Sequence, residues 1–134
     1  MGESPVRGVM TSSGDGVYKS LDAGETWEHI GLENTKHISQ VRIHPKDPDI
    51  MYVAAQGSPY ASTEERGVYM TTDGGENWEK VLYVNGFSGV SDLAMDYNNP
   101  RVLYAAFWDH QRLPWYVRSG GNGRGIWKTV DGGQ

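Results

Sequence analysis

One pattern recurs along this chain and limits what it can fold into. Its first copy is Gly16-Val17-Tyr18-Lys19-Ser20-Leu21-Asp22-Ala23-Gly24-Glu25-Thr26-Trp27. The second is Gly67-Val68-Tyr69-Met70-Thr71-Thr72-Asp73-Gly74-Gly75-Glu76-Asn77-Trp78. A third, Gly125-Ile126-Trp127-Lys128-Thr129-Val130-Asp131-Gly132-Gly133-Gln134, stops short of the tryptophan. The aspartates Asp22, Asp73 and Asp131 lie 51 and then 58 positions apart. A second block repeats between them: Pro48 aligns with Pro100 and Tyr52 with Tyr104, each 52 apart. Two independent blocks with one shift make a structural repeat, and a repeat has to be read before any single element.

Each unit reads as four short strands. Val41 and Ile43 alternate on one face of the segment from Ser39 to Ile43. Pro45, Asp47 and Pro48 then supply turn geometry. Ile50 to Ala55 is a continuous apolar run, the mark of a strand covered on both faces. Val68 to Thr71 forms the third strand, Asp73-Gly74-Gly75 a hairpin turn, and Trp78 to Tyr83 the fourth strand. No helical period is sustained. Four antiparallel strands every ~50 residues predict a β-propeller. The expected units are 1–36 (an outer hairpin), 37–86 (a complete blade) and 87–134 (a blade lacking its fourth strand). Propellers close with about 4 to 8 blades, so the sequence reads as a fragment. Its open sheet edges predict poor solubility or association.

At the repeated turn the chemistry is local. Gly24, Gly75 and Gly133 tolerate positive φ. The Asp carboxylate accepts backbone N–H bonds across its own turn. Ser20, Thr71 and Thr26 can add hydroxyl bonds, while Trp27 and Trp78 can cover a neighbouring strand. These roles are structural.

Ser20-Leu21-Asp22-Ala23-Gly24-Glu25-Thr26-Trp27 matches the Asp-box pattern S-x-D-x-G-x-T-W in full. The second copy has Thr71 for Ser and Asn77 for Thr. From about residue 14 onward the chain resembles BNR/Asp-box β-propellers. It is most similar to bacterial proteins related to the sortilin (VPS10) propeller and to xyloglucanase-like glycoside hydrolases. The resemblance implies a secreted or periplasmic location, and peptide, protein or glycan ligands. It implies fold more than activity, because the group spans sialidases, endoglucanases, sorting receptors and assembly factors.

Composition excludes several other classes. With no cysteine, neither a disulfide framework nor a thiolate site can form. Twelve basic against 17 acidic residues give a net charge of −5, which disfavours nucleic acid as the main partner. No apolar run approaches the ~18 residues of a membrane-spanning helix, and no signal peptide is visible. Four scattered histidines, His29, His37, His44 and His110, give no zinc motif. No G-x-S-x-G elbow occurs. Gly120-Gly121-Asn122-Gly123-Arg124-Gly125 leads into a strand and matches no phosphate loop, so it reads as a flexible loop end. Neither metal nor cofactor is expected.

Function should lie in the long links on the face opposite the aspartate turns. Gln56 to Arg66 carries Tyr60, Glu64, Glu65 and Arg66. Phe107 to Arg124, expected as a loop, carries Trp108, Asp109, His110, Arg112, Trp115, Tyr116 and Arg118. Tyr60, Glu65, Arg66, Trp108, His110, Arg112 and Trp115 are the candidate ligand-binding residues, since aromatics beside charged groups suit sugars or peptides. A glycosidase needs two carboxyl groups about 5 to 9.5 Å apart, for which Asp92, placed at the start of a first strand, Asp109 and Glu64 are candidates. The same residues also read as loop packing and solvated charge. Arg42, His44 and Asp96 either line the channel or cap turns. A peptide- or protein-binding, sortilin-like propeller is preferred because no convergent catalytic set is visible; the alternative is a glycoside hydrolase acting on polysaccharide.

Overall fold

The computed structural model describes residues 12–134, so 1–11 of the first expected unit lie outside the described residues. Apart from a 3-10 turn at Glu33–Thr35, the described elements are strands. Strands β1 (Tyr18–Lys19) and β2 (Glu28–His29) pair antiparallel. The next sheet runs in the order β3 (Ile38–Ile43), β4 (Met51–Ala55), β5 (Gly67–Thr71) and β6 (Glu79–Leu82), all antiparallel neighbours. The last sheet pairs β7 (Ser88–Met95) with β8 (Leu103–Leu113), and β8 with β10 (Gly125–Thr129). The protein is thus all-β, a partial β-propeller of antiparallel blades.

The apolar run that suggested a doubly covered strand behaves so: Val53, Ala54 and Ala55 are fully buried within β4. Val53 packs with Val17 and Ile38 between the first and second sheets, joined by Ile30, Val41, Tyr69 and Trp78. On the other side Tyr52, Ala54, Val68, Val90, Leu93 and Phe107 form the core between the second and third sheets. Close approach of blades is built in. A Cβ at Gly89 would stand 2.1 Å from the Gln56 carbonyl oxygen of the preceding blade.

First strands share an irregularity. The register shifts between Ile38 and Gln40 in one blade and between Val90 and Asp92 in the next. Ser39 sits at the first and donates to the Val90 carbonyl of the neighbouring blade at 2.6 Å. Ser91, at the second, donates to Ala106 at 3.1 Å. Ser39 also reaches the Ala54 carbonyl of its own blade at 3.3 Å, so a serine bonds across the bulge in both first strands.

Two expectations need correction. The segment from Phe107 to Arg124 is not a long loop. Strand β8 continues to Leu113, turns at Pro114–Trp115 and returns as β9 (Tyr116–Ser119). The alternating burial of Leu103, Ala105, Phe107 and Asp109 carries the strand beyond the blade body, and a partner supplied by its own sequence satisfies the backbone there. Asp92 does not start a first strand; β7 begins at Ser88, leaving Asp92 mid-strand opposite Ala106. The fourth strand of the middle blade begins at Glu79, one residue after Trp78.

Candidate functional site

The aspartate turns lie at one end of the blades and bond within themselves. Asp22 accepts from the Thr26 amide at 2.8 Å and the Thr26 hydroxyl at 2.6 Å, while Ser20 donates to it at 2.8 Å. Asp73 repeats this with the Asn77 amide at 2.9 Å, the Asn77 side chain at 2.8 Å and the Thr71 hydroxyl at 2.7 Å. Asp131 accepts from Thr129 and from the Gln134 amide. The Ser or Thr hydroxyl in turn accepts from the amide of Gly24, Gly75 or Gly133. Chiefly through the hydroxyl bond of Thr26, the Asp22 carboxyl is pulled down to about 2. Asp73 is held well below the usual range, first by Thr71 and then by Asn77. Asp131 is lowered mainly by Thr129. Each carboxylate is occupied inside its own turn.

Trp27 and Trp78 differ. Trp78 donates to the Ile30 carbonyl of the preceding blade at 2.6 Å. Trp27 donates to Gly24 in its own turn and is 63% exposed. His44 and Asp96 cap equivalent turns: the His44 ring accepts from the Lys46 and Asp47 amides, and Asp96 from Asn98 and Asn99. Arg42 donates back to the Val41 carbonyl.

At the opposite end, four segments meet. Arg66 is almost wholly buried and donates to the carbonyls of Ser58, Ala61 and Phe87, the last two at 3.1 Å. The His110 amide donates to Phe87 and the Arg112 amide to Pro59. Arg66 thereby clamps the 56–66 link against the start of the third sheet. Burial brings its guanidinium down to about 10, with Asp109 opposing and Arg118 adding to the fall.

Asp109 is buried and pairs with Arg118 at 2.6 Å. The Arg118 guanidinium also lies 4.6 Å from the centre of the Phe87 ring. Beside them Trp108 stacks on His110 with ring centres 4.1 Å apart and donates to Ser119. Burial pushes the His110 imidazole below its ordinary value, and Arg112 and Arg66 push it further. Asp109 and Arg118 are thus brought together on one face of β8, Trp108 and His110 on the other, with Arg66 near Asp109, Arg118 and His110, and Arg112 near His110. Trp115 stands 80% exposed at the hairpin tip, with Tyr116 51% exposed beside it. Tyr60 is exposed on the neighbouring link.

The other candidates stand apart. Asp92 is exposed and accepts from the Leu93 amide. The Glu64 carbonyl receives Lys80, and the Glu65 carbonyl receives the Tyr69 hydroxyl. Among the described residues no three His, Asp or Glu side chains gather as metal ligands.

Sequence reasoning missed Phe87, Ser88 and the glycines behind the site. A Cβ at Gly121 would meet Asp109 Oδ2 at 2.0 Å, and one at Gly123 would meet Ser88 Oγ at 1.9 Å. The glycine-rich segment is thus a close-packed backing for Asp109 and Ser88. Its spacing carried no motif, but close backbone approach is an ordinary reason for glycine in such a run.

Successive antiparallel sheets packed face to face, with the bonded aspartate turns at one end, define a β-propeller. Residues 4–131 match the Sortilin-Vps10 family, described as sortilin, neurotensin receptor 3, and the chain belongs to that family. No curated protein matches the chain. The fold is similar to the crystal structure of an ancestral GH74 enzyme, with a TM-score of 0.56 and 16% identity. That likeness covers 91% of this chain, which spans about a fifth (21%) of the enzyme chain. No helix among the described residues is long and apolar enough to cross a membrane.

Proposed function

We propose that the chain serves a recognition propeller that binds peptide or protein ligands, located outside the cytoplasm, with the remaining blades supplied by a longer chain. The carrying observation is the pairing of Asp109 with Arg118 beneath the exposed Pro114–Trp115 turn. A guanidinium fixed by a carboxylate below and a phenyl ring beside it is an ordered, half-exposed donor. Trp115, Tyr116 and Tyr60 add exposed rings at low entropic cost. Asp109, already engaged by Arg118, acts here as a positioning residue.

The test is ligand capture by the whole propeller from a peptide library. Trp115→Ala and Arg118→Ala should each weaken capture by about tenfold or more. Asp22→Asn, at the far end, should leave it unchanged. Equal capture by all variants overturns this reading. The second reading, polysaccharide, draws on the same exposed rings, which can stack on apolar sugar faces. Glycan binding or release of reducing sugar, with no peptide captured, would favour it.

A further inference from the structure

Arg66 is a buried cation without a counter-ion of its own. It is 1% exposed and donates to the carbonyls of Ser58, Ala61 and Phe87, all neutral groups. Among the described residues the one ion pair joins Arg118 to Asp109. Asp109 attracts Arg66 from farther off, and Arg118 opposes that pull. Two guanidiniums thus share one carboxylate. A buried charge left without an opposite charge is costly, and carbonyl dipoles offset that cost only in part.

The donors at this corner are not used up. Arg66 Nε and Thr63 Oγ1 are both buried, and neither makes a hydrogen bond. They lie beside the same glycine: the place where a Cβ on Gly57 would stand is 2.9 Å from Thr63 Oγ1 and 3.2 Å from Arg66 Nε. The backbone carrying them is fixed at both ends. The Gln56 and Gly57 amides donate to the His37 carbonyl at 2.8 and 3.3 Å, and the His37 ring meets the Gly57 carbonyl at 3.1 Å. The Thr63 amide donates to the Gly86 carbonyl at 2.9 Å. Two buried donors beside a cation, on rigid backbone and with no acceptor from the protein, make an anion site. Burial sets the size of the anion. With Arg66 almost wholly covered, a side-chain carboxylate from outside or a phosphate does not fit, whereas a single-atom ion does.

We propose that this corner of the 56–66 link binds a monatomic anion, chloride in ordinary media, as the counter-ion of Arg66, with Arg66 Nε and Thr63 Oγ1 as its donors. The ion would tie the link to the third sheet from within, so that halide concentration sets how firmly the two blades hold together. The seat lies behind the Arg118 face and does not rest on the recognition reading.

The test compares melting in sodium chloride and in sodium gluconate at equal ionic strength, so that screening is common to both. With a dissociation constant of ~10 mM, about 0.2 M chloride should raise the midpoint of the parent chain by roughly 4–8 °C over gluconate. Thr63→Val keeps the shape of the side chain and removes one donor. In gluconate it should melt at or above the parent, because an unpaired buried hydroxyl is gone. Its gain in chloride should be about a third of the parent's, as expected for roughly tenfold weaker binding. Crystals grown in bromide should show an anomalous peak beside Arg66 Nε and Thr63 Oγ1. A chloride gain equal in the two proteins, nil included, overturns the proposal, and so does bromide found only elsewhere; the two donors would then hold water.

Discussion

Ala23 occupies the left-handed region at φ 57°, where its counterparts in the other two turns are Gly74 (φ 73°) and Gly132 (φ 81°). An L-residue pays for that conformation by crowding Cβ against the backbone. Glycine does not, although it loses more chain entropy on folding. The difference favours glycine, because the Ala23 side chain is exposed and packs little. Ala23→Gly should stabilise the chain by about 0.5–1 kcal/mol, read as a higher urea midpoint with an unchanged slope. A midpoint equal to or below that of the parent would show that the first turn relaxes around alanine. The aspartates explain why the turns were legible from sequence. Every bond made by Asp22 or Asp73 reaches at most four residues along the chain. A pattern of such short range is complete in the sequence.

Elements are less transparent than turns, and the β8–β9 hairpin shows why. Pro114, Trp115, Arg112 and Arg118 look like loop chemistry when read singly. What makes them a hairpin is the register Arg112↔Val117 and Leu113↔Tyr116, which only a folded chain reveals. The same holds for the candidate site. Arg66, Phe87, Asp109 and Arg118 come from separate segments, and their meeting depends on how one blade seats against the next. Seating is controlled by Gly89, whose missing side chain lets the third sheet reach the Gln56 backbone. In Gly89→Ala the Cβ would press on three backbone atoms of Gln56 within 2.7 Å, and backbone cannot swing aside as a flexible side chain does. The substitution should cost about 2–3 kcal/mol, seen as a lower urea midpoint. It should also disturb the Arg66 clamp, because Arg66 and His110 share the Phe87 carbonyl two residues away. An unchanged midpoint would mean that the blades are not in tight register there.

At the scale of the molecule, the described sheets form an arc with two unlike ends. One end presents Leu21, 84% exposed, and Trp27, 63% exposed. The other presents β10 with Ile126 76% and Val130 63% exposed, along an unpaired strand edge. Exposed apolar groups beside free N–H and C=O groups form a template for strand pairing between chains. The two ends are different surfaces, so contacts between them would be head-to-tail and would not close unless the rotation does. The chain should therefore gain mass with concentration in analytical ultracentrifugation. Ile126→Lys places a charge on that edge and removes one apolar side chain from the contact, a change worth about 1.5 kcal/mol or more. Association should then shift to roughly tenfold higher concentration, while the melting transition stays close to that of the parent, because Ile126 is exposed in the folded chain. A single monomer mass from micromolar to millimolar concentration would show that the edge is shielded. Loss of association together with loss of the melting transition would instead place Ile126 in the fold.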